Sequence, residues 1–272
     1  NRLNKIVNQP GTISKKALQE ICQFDNDSFN KALCKLLDLS LIESYQSGKR
    51  FYLHSEIRRK AKELLAKDPN SNSYYERAIN FFRDFTKATV PMTDLNTATQ
   101  ALESQMPVGT SEEQIRSAAM ELIVNPAKQM LELELDNCLK MLRWSIDNEK
   151  FDSAFDMLNM IDETLYSHGY LNTVSGYYEK ITKEFNDKHK QMTAYHRLAI
   201  LFYNYGKFDL ALYNYEKALD LAQQLNEKEK EAEILKDLSL TNRQIQRING
   251  SIENLETLRN LLKDLGKHVE EA

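Results

Sequence analysis

From Tyr195 to Ala222 the chain reads YHRLAILFYNYGKFDLALYNYEKALDLA, two helical patterns hinged on one glycine. Tyr195, Leu198, Ala199 and Phe202 recur at three and four residues before Gly206, and Phe208, Ala211, Tyr215 and Ala218 recur after it. Alanines at 199, 211 and 218 let the two helices approach closely, and the aromatic residues fill the groove between one hairpin and the next. One such hairpin cannot bury its own face. The segment therefore demands neighbours of the same kind, and this excludes most architectures for the second half of the chain.

Those neighbours are legible in worn form. The order of residues resembles the tetratricopeptide pattern; upstream a helix ends near Asn148, Phe151 and Ala154 mirror Phe208 and Ala211, and a further helical pair flanks Ser167, His168 and Gly169. Downstream, Ile234, Leu235, Leu238, Ile245, Ile248, Ile252, Leu255, Leu258 and Leu262 continue the spacing across a break at Asn249 and Gly250, as one more hairpin. The expectation is an α-α superhelix of tetratricopeptide-like hairpins over residues 132–272. It ends at Lys267 to Ala272 without a polar capping helix, as an array that continues further would.

The front of the chain has a different grammar. Pro10 and Gly11 end a helix over Leu3 to Asn8, Ser14 is placed to cap a helix with Ala17, Leu18 and Ile21, and Asp25 to Asp27 cap one packing Phe29, Leu33 and Leu36. Leu41 and Ile42 through Tyr45, then Phe51 to Leu53, read as two strands joined by a turn at Ser47 and Gly48. A helix over about Ser55 to Lys67 follows, carrying Ile57, Arg58, Ala61, Leu64 and Leu65. Helices followed by a two-stranded wing and another helix make a winged-helix pattern, so the chain is expected to be mainly α with a small winged-helix domain over residues 1–70. The polar run Asp68 to Ser73 marks its end. Residues 71–131 form a helical connector, in which Tyr74 to Lys87 should bury Ala78, Phe81, Phe82 and Phe85 until Val90 and Pro91 stop it. Between residues 92 and 125 the periodicity is weaker. Pro107, Val108 and Gly109 interrupt it, and Ser111 followed by Gln114 signals a new helix start.

Composition agrees with a helical body. The 272 residues include only 8 Gly and 5 Pro, and 42% hydrophobic with 28% charged is the balance of an ordinary globular protein. Cys22, Cys34 and Cys138 form no CxxC pair, so neither a disulfide framework nor a zinc site is indicated. No apolar run reaches membrane-spanning length, and with the absence of a leader pattern this predicts a cytoplasmic protein with no membrane partner. Asn1 in place of an initiator Met suggests a fragment. Residues 1–70 carry 13 Lys and Arg against 8 Asp and Glu, whereas the remainder carries 23 against 32, so a basic front precedes an acidic array.

The front also resembles a known family. Phe29 to Leu65, of the form aL..L...SLI......RF.LH..IR..A.eLL, is similar to the winged helix that closes the nucleotide-switch module of STAND-type ATPases, the NB-ARC and NACHT-like signalling proteins. Glu134, Asp136, Asn137, Trp144, Ala154, Gly169 and Gly176 match a second pattern found just after that domain in bacterial members. The resemblance covers residues 29–87 and 132–222. It implies a non-catalytic regulatory and sensor region: the winged helix supports a switch in an upstream ATPase domain that binds ADP or ATP, and the repeats bind a protein or ligand.

Candidate sites follow from both readings. The resemblance implies that His54 approaches the β-phosphate of ADP in the parent protein, although of the family's Met-His-Asp only the histidine stands in Leu53-His54-Ser55. The plain alternative is that His54 caps the following helix. Lys49 and Arg50 on the wing, with Arg58, Arg59, Lys60 and Lys62, suit an acidic surface or phosphate. Binding duplex DNA would need the helix from Asn26 to Asp38 in a major groove, and Lys31 and Lys35 there are balanced by Asp25, Asp27 and Asp38, which weighs against nucleic acid. Tyr203 and Tyr213 lie off the motif positions and are the expected contacts for a peptide on the concave face of the repeats. His168, His189, His196 and His268 read as packing or surface residues, and the pairs Glu112-Glu113 and Glu270-Glu271 as solvated helix ends. No phosphate loop, GxGxxG, HExxH or GxSxG occurs, so no catalysis and no cofactor of the chain's own are expected. The alternatives are a stand-alone tetratricopeptide adaptor and a winged-helix transcription regulator.

Overall fold

The computed structural model describes residues 12–107 and 109–264 and is mainly α with a small three-stranded sheet. The predicted helix over Leu3 to Asn8, its stop at Pro10 and Gly11, Val108, His268 and Glu270-Glu271 lie outside the described residues. Two compact units meet at Ile161 and Asp162.

The first unit begins with strand β1 (Ile13–Ser14), whose Ser14 Oγ accepts from the Ala17 amide at 3.2 Å and so caps α1 (Lys15–Cys22). Asp25 likewise caps α2 (Asn26–Asp38), accepting from the Ser28 amide at 2.9 Å. Strands β2 (Ile42–Tyr45) and β3 (Arg50–Leu53) form the hairpin, turning through Gln46, Ser47 and Gly48, all at positive φ. The sheet order is β1-β3-β2, antiparallel throughout, with Ile13 opposite Phe51 and Ile42 opposite Leu53. The third strand corrects the two-stranded reading: two residues are too few to show an alternation, so pairing rather than pattern creates β1. Phe29, Leu33, Ile42 and Phe51 are the core here. Leu36 is 39% exposed, because Phe29, Leu33 and Leu37 at steps of four turn inward and leave it at the edge of the stripe. The next helix, α3 (Ser55–Leu65), buries no residue and leaves Leu64 61% exposed.

Helix α4 (Ser71–Thr89) packs against α1 and buries Ala78, Ile79 and Phe82. The polar run Asp68 to Ser73 is thus a joint inside the unit. Phe81 and Phe85, expected to be buried, are only half-buried and face a groove. A 3-10 turn (Pro91–Thr93), α5 (Leu95–Glu103), α6 (Glu112–Ala119) and a π turn (Met120–Val124) then build a local core of Ala98, Leu102, Ile115, Ala119 and Val124. The predicted start at Ser111 is a full capping box with Gln114. Helix α7 (Asn125–Asp147) packs on α4, and Trp144 stacks on Tyr75 at 4.9 Å and 13°.

Helix α8 (Phe151–Ser167) runs across the border into the second unit, which continues with α9 (Leu171–Glu184), α10 (Lys188–Asn204), α11 (Phe208–Leu225), α12 (Lys228–Gln244) and α13 (Ile248–Asp264). From α9 onward each helix packs on the next. Leu198, Ala199, Phe202, Ala211, Tyr215 and Ala218 are buried, as their motif positions require. Gly206 stands at φ 70°, and the Lys207 amide reaches back to the Phe202 carbonyl at 2.9 Å, closing α10 with a left-handed cap. Gly169 and Gln246 repeat this device: Tyr170 N bonds Leu165 O at 3.0 Å, and Arg247 N bonds Asn242 O at 2.9 Å. The repeated closure sets the hairpins as α8 with α9, α10 with α11, and α12 with α13.

Candidate functional site

In the first unit the polar chemistry converges on Arg50. Phe51 beside it on the strand is buried in the apolar core, and the Arg50 side chain is also taken out of water, with only 7% exposure. Nη1 donates to Glu134 Oε1 at 2.6 Å, Nη2 to the carbonyls of Leu133 at 3.0 Å and Thr12 at 3.1 Å, and Nε to Thr12 Oγ1 at 3.1 Å. Asn137 completes the cage, its Nδ2 donating to Glu134 Oε2 at 2.7 Å and to Thr12 O at 2.8 Å. Each guanidinium nitrogen and each Glu134 carboxylate oxygen has a partner, which is what makes a buried ion pair tolerable. This bolts the hairpin to α7. Arg50, read from sequence as a surface cation for a partner, is instead a structural clamp. Lys49 beside it is exposed.

The opposite end of β3 carries His54. It occupies the N-cap position of α3 without a side-chain cap bond; its Nε2 lies 2.7 Å from Glu43 Oε1, and its ring meets Tyr52 edge-on. The imidazole is half exposed, so neither side-chain capping nor burial accounts for it. Arg58 donates to Leu53 O at 3.1 Å and lies over the Tyr52 ring, whereas Arg59 is spent on Glu56 and Glu63 along its own helix. Of the cations predicted to share one acidic surface, only Lys49 and Lys62 have side chains without a partner among the described residues.

In the second unit a line of charged groups runs over α8, α10 and α12. Tyr178 Oη donates to Asp162 at 2.8 Å, and Arg197 stands 3.9 Å from Asp162 and 3.3 Å from Glu163. Burial pushes the Asp162 carboxyl above the usual carboxylate range, with Arg197 and the Tyr178 hydroxyl pulling the other way. Burial, aided by Asp162, drives the Tyr178 hydroxyl far upward. On the next hairpin His196 Nε2 lies 2.9 Å from Asp237 Oδ2, and Tyr215 is held protonated by burial and by the charge of Asp237. Tyr203, with Ile200, Asn204, Tyr215, Asp237 and Leu240, lines a hollow of about 230 Å³ here. Tyr213 is not among these residues. It is 56% exposed on α11 under the Lys217 ammonium.

The sequence reading missed Glu134, Asp162 and Asp237 as partners, yet two of them carry a signal. Glu134 falls among Leu131, Leu135 and Cys138, and Asp162 among Leu158, Ile161 and Leu165, all buried. An acid on the apolar stripe of a helix needs a counter-charge from elsewhere. The remaining histidines behave as packing or surface residues: His168 bonds Thr164 O at 2.8 Å and His189 meets Glu227 at 2.9 Å. Among the described residues no helix is long and apolar enough to cross a membrane.

No family model matches this chain, and no curated protein matches it in sequence. Among solved structures it is similar to BtubC from P. vanneervenii, at 14% identity and a TM-score of 0.47, over 79% of this chain and 90% of that one. It is also similar to a Signal Transduction ATPase with Numerous Domains (STAND) protein with a tetratricopeptide repeat sensor from Pyrococcus horikoshii, at 14% identity and a TM-score of 0.37. That likeness covers 96% of this chain, which spans 50% of the other. Neither likeness bears on the residues described above.

Proposed function

We propose that this chain is the non-catalytic regulatory and sensor region of a STAND-type signalling ATPase, in which the front unit is a winged helix supporting a nucleotide switch and the repeats bind a protein or peptide segment. The observation that carries the reading is the placement of Arg50 at the start of β3 and of His54 directly after its last residue, Leu53. Arg50 is clamped to α7 through Glu134, and His54 is presented half exposed four residues on. A displacement of α7 would reach His54 through a strand too short to absorb it, which is the coupling a switch requires. The exposed apolar residues of α3, Leu64 above all, give the front unit a face for an upstream domain.

An ADP phosphate is accommodated only in part by the residues present. His54 is a competent donor, but Glu43 at 2.7 Å would repel a phosphate until the pair opens, and the remaining ligands would come from the ATPase domain. In this reading Glu43 competes with nucleotide for His54. The repeats contribute the hollow beside Tyr203 and Asp237 as the contact for a partner segment.

The test uses the parent protein with its ATPase domain. Glu134→Gln, which loosens the clamp away from the nucleotide, should raise the rate of ADP release several-fold, and His54→Ala should do the same. Unchanged ADP release in both would remove the switch. The 272-residue chain alone should show no turnover of labelled ATP, and stoichiometric turnover would refute the reading outright. Salt-sensitive binding of duplex DNA by the chain would favour a transcription regulator instead.

A further inference from the structure

The front unit contains a groove that the switch does not use. Its volume is about 780 Å³, and its floor is apolar: Phe81, Phe85 and Ala88 follow one face of α4, and Met130 and Leu133 face them from α7. Those positions on α4 are separated by four and three residues, the spacing of a single helical stripe. Phe81 and Phe85 lie parallel at 6.5 Å, and Met130 is 52% exposed. A floor of two phenylalanines and a methionine left uncovered is a contact surface.

The charges around it are uneven. Arg50 and Glu134 at the back neutralise one another, and Asp84 is shared with Arg83 at 3.4 Å. Lys16 on α1 and Lys49 on the hairpin turn are exposed, and neither ammonium has a carboxylate partner among the described residues. Arg77 spends its donors on the Ile21 carbonyl at 2.6 Å and Ser73 Oγ at 3.2 Å and rests against the Tyr74 ring, again without a carboxylate. Glu20 and the exposed Asp84 are the rim acids set against these three cations, so the rim keeps an excess of one positive charge. An apolar floor beneath a cationic rim is complementary to apolar side chains flanked by carboxylates.

We infer that this groove docks an acidic amphipathic segment of a partner protein, two or three aliphatic or aromatic side chains resting on Phe81, Phe85 and Met130 while their acidic neighbours meet Lys16, Lys49 and Arg77. It is a second docking site, independent of the repeats. Its volume suits a few side chains of a peptide.

The test pans a phage-displayed random dodecapeptide library against the full chain and against a Lys16→Glu/Lys49→Glu variant. Both lysines are exposed, so the variant should keep the wild-type melting temperature. The expected result is a set of clones held by the wild type and lost on the variant, rich in Leu, Ile or Phe together with Asp and Glu. A synthetic peptide from that set should bind about tenfold more weakly to the variant, a difference salt diminishes, and equally well to a Tyr203→Ala/Asp237→Asn chain altered only in the repeats. Clones that are basic, clones indifferent to the two lysines, or binding abolished by the repeat substitutions would each overturn the inference. The last outcome would leave the proposed role of the repeats intact.

Discussion

Arg50 is the residue whose removal should hurt most. With the guanidinium gone, Glu134 is left as a buried charge supported only by Asn137, and a broken buried pair of this kind costs roughly 3–5 kcal/mol. Arg50→Met should therefore lower the urea midpoint sharply, while Arg50→Met with Glu134→Leu should recover much of the loss, because no uncompensated charge remains. Asp162 predicts the opposite sense. Its carboxyl is raised by burial above its unfolded value, so between the ordinary carboxylate range and that raised value the folded chain holds more protons than the unfolded one. Its contribution to stability thus falls as pH rises through that window. Asp162→Asn, which still accepts from Tyr178, should gain on the wild type as pH is raised from about 4 to 7, and a difference independent of pH in denaturation midpoints would contradict this.

Among the helices, the caps do the work of punctuation. Gly206 at φ 70° has open space where a Cβ would sit, so Gly206→Ala pays only for the left-handed backbone, about 1 kcal/mol. Gln246 occupies the equivalent corner at φ 60° with a side chain that disfavours it. Gln246→Gly should stabilise the chain by roughly 0.5–1 kcal/mol, measured as a shift in denaturation midpoint at unchanged slope. These corners were readable at Gly169 and Gly206, where glycine announces itself, and at the helix end near Asn148, whereas the break read at Asn249 and Gly250 lies inside α13 and the chain turns earlier, at Gln246. Ser14, Asp25 and Ser111 were readable for a similar reason, since a cap is a bond between residues three apart. The strand β1 was not, because its pairing with Arg50 and Phe51 spans the whole of α1 and α2.

Over the whole chain, stability in the second unit should be a sum over neighbouring helices, each packed on the next. Deleting residues 226–272 removes α12 and α13 and uncovers Tyr215 and His196, so the melting temperature should fall by several degrees, about 2–4 for each kcal/mol lost. An unchanged melting temperature would mean that the hairpins are stable singly. What the residue order determines unaided is whatever recurs at helical spacing or acts over three to six residues: the hairpin from Tyr195, the caps, the β2–β3 turn and the predominance of helix. What the tertiary structure alone decided is where the side chains of opposite charge meet. Arg50 and Glu134 are 84 residues apart, and as residue types they read as two more surface charges. Only the approach of β3 to α7 takes both out of water at once, and with it a cation expected to greet a partner becomes the clamp that holds the front unit together.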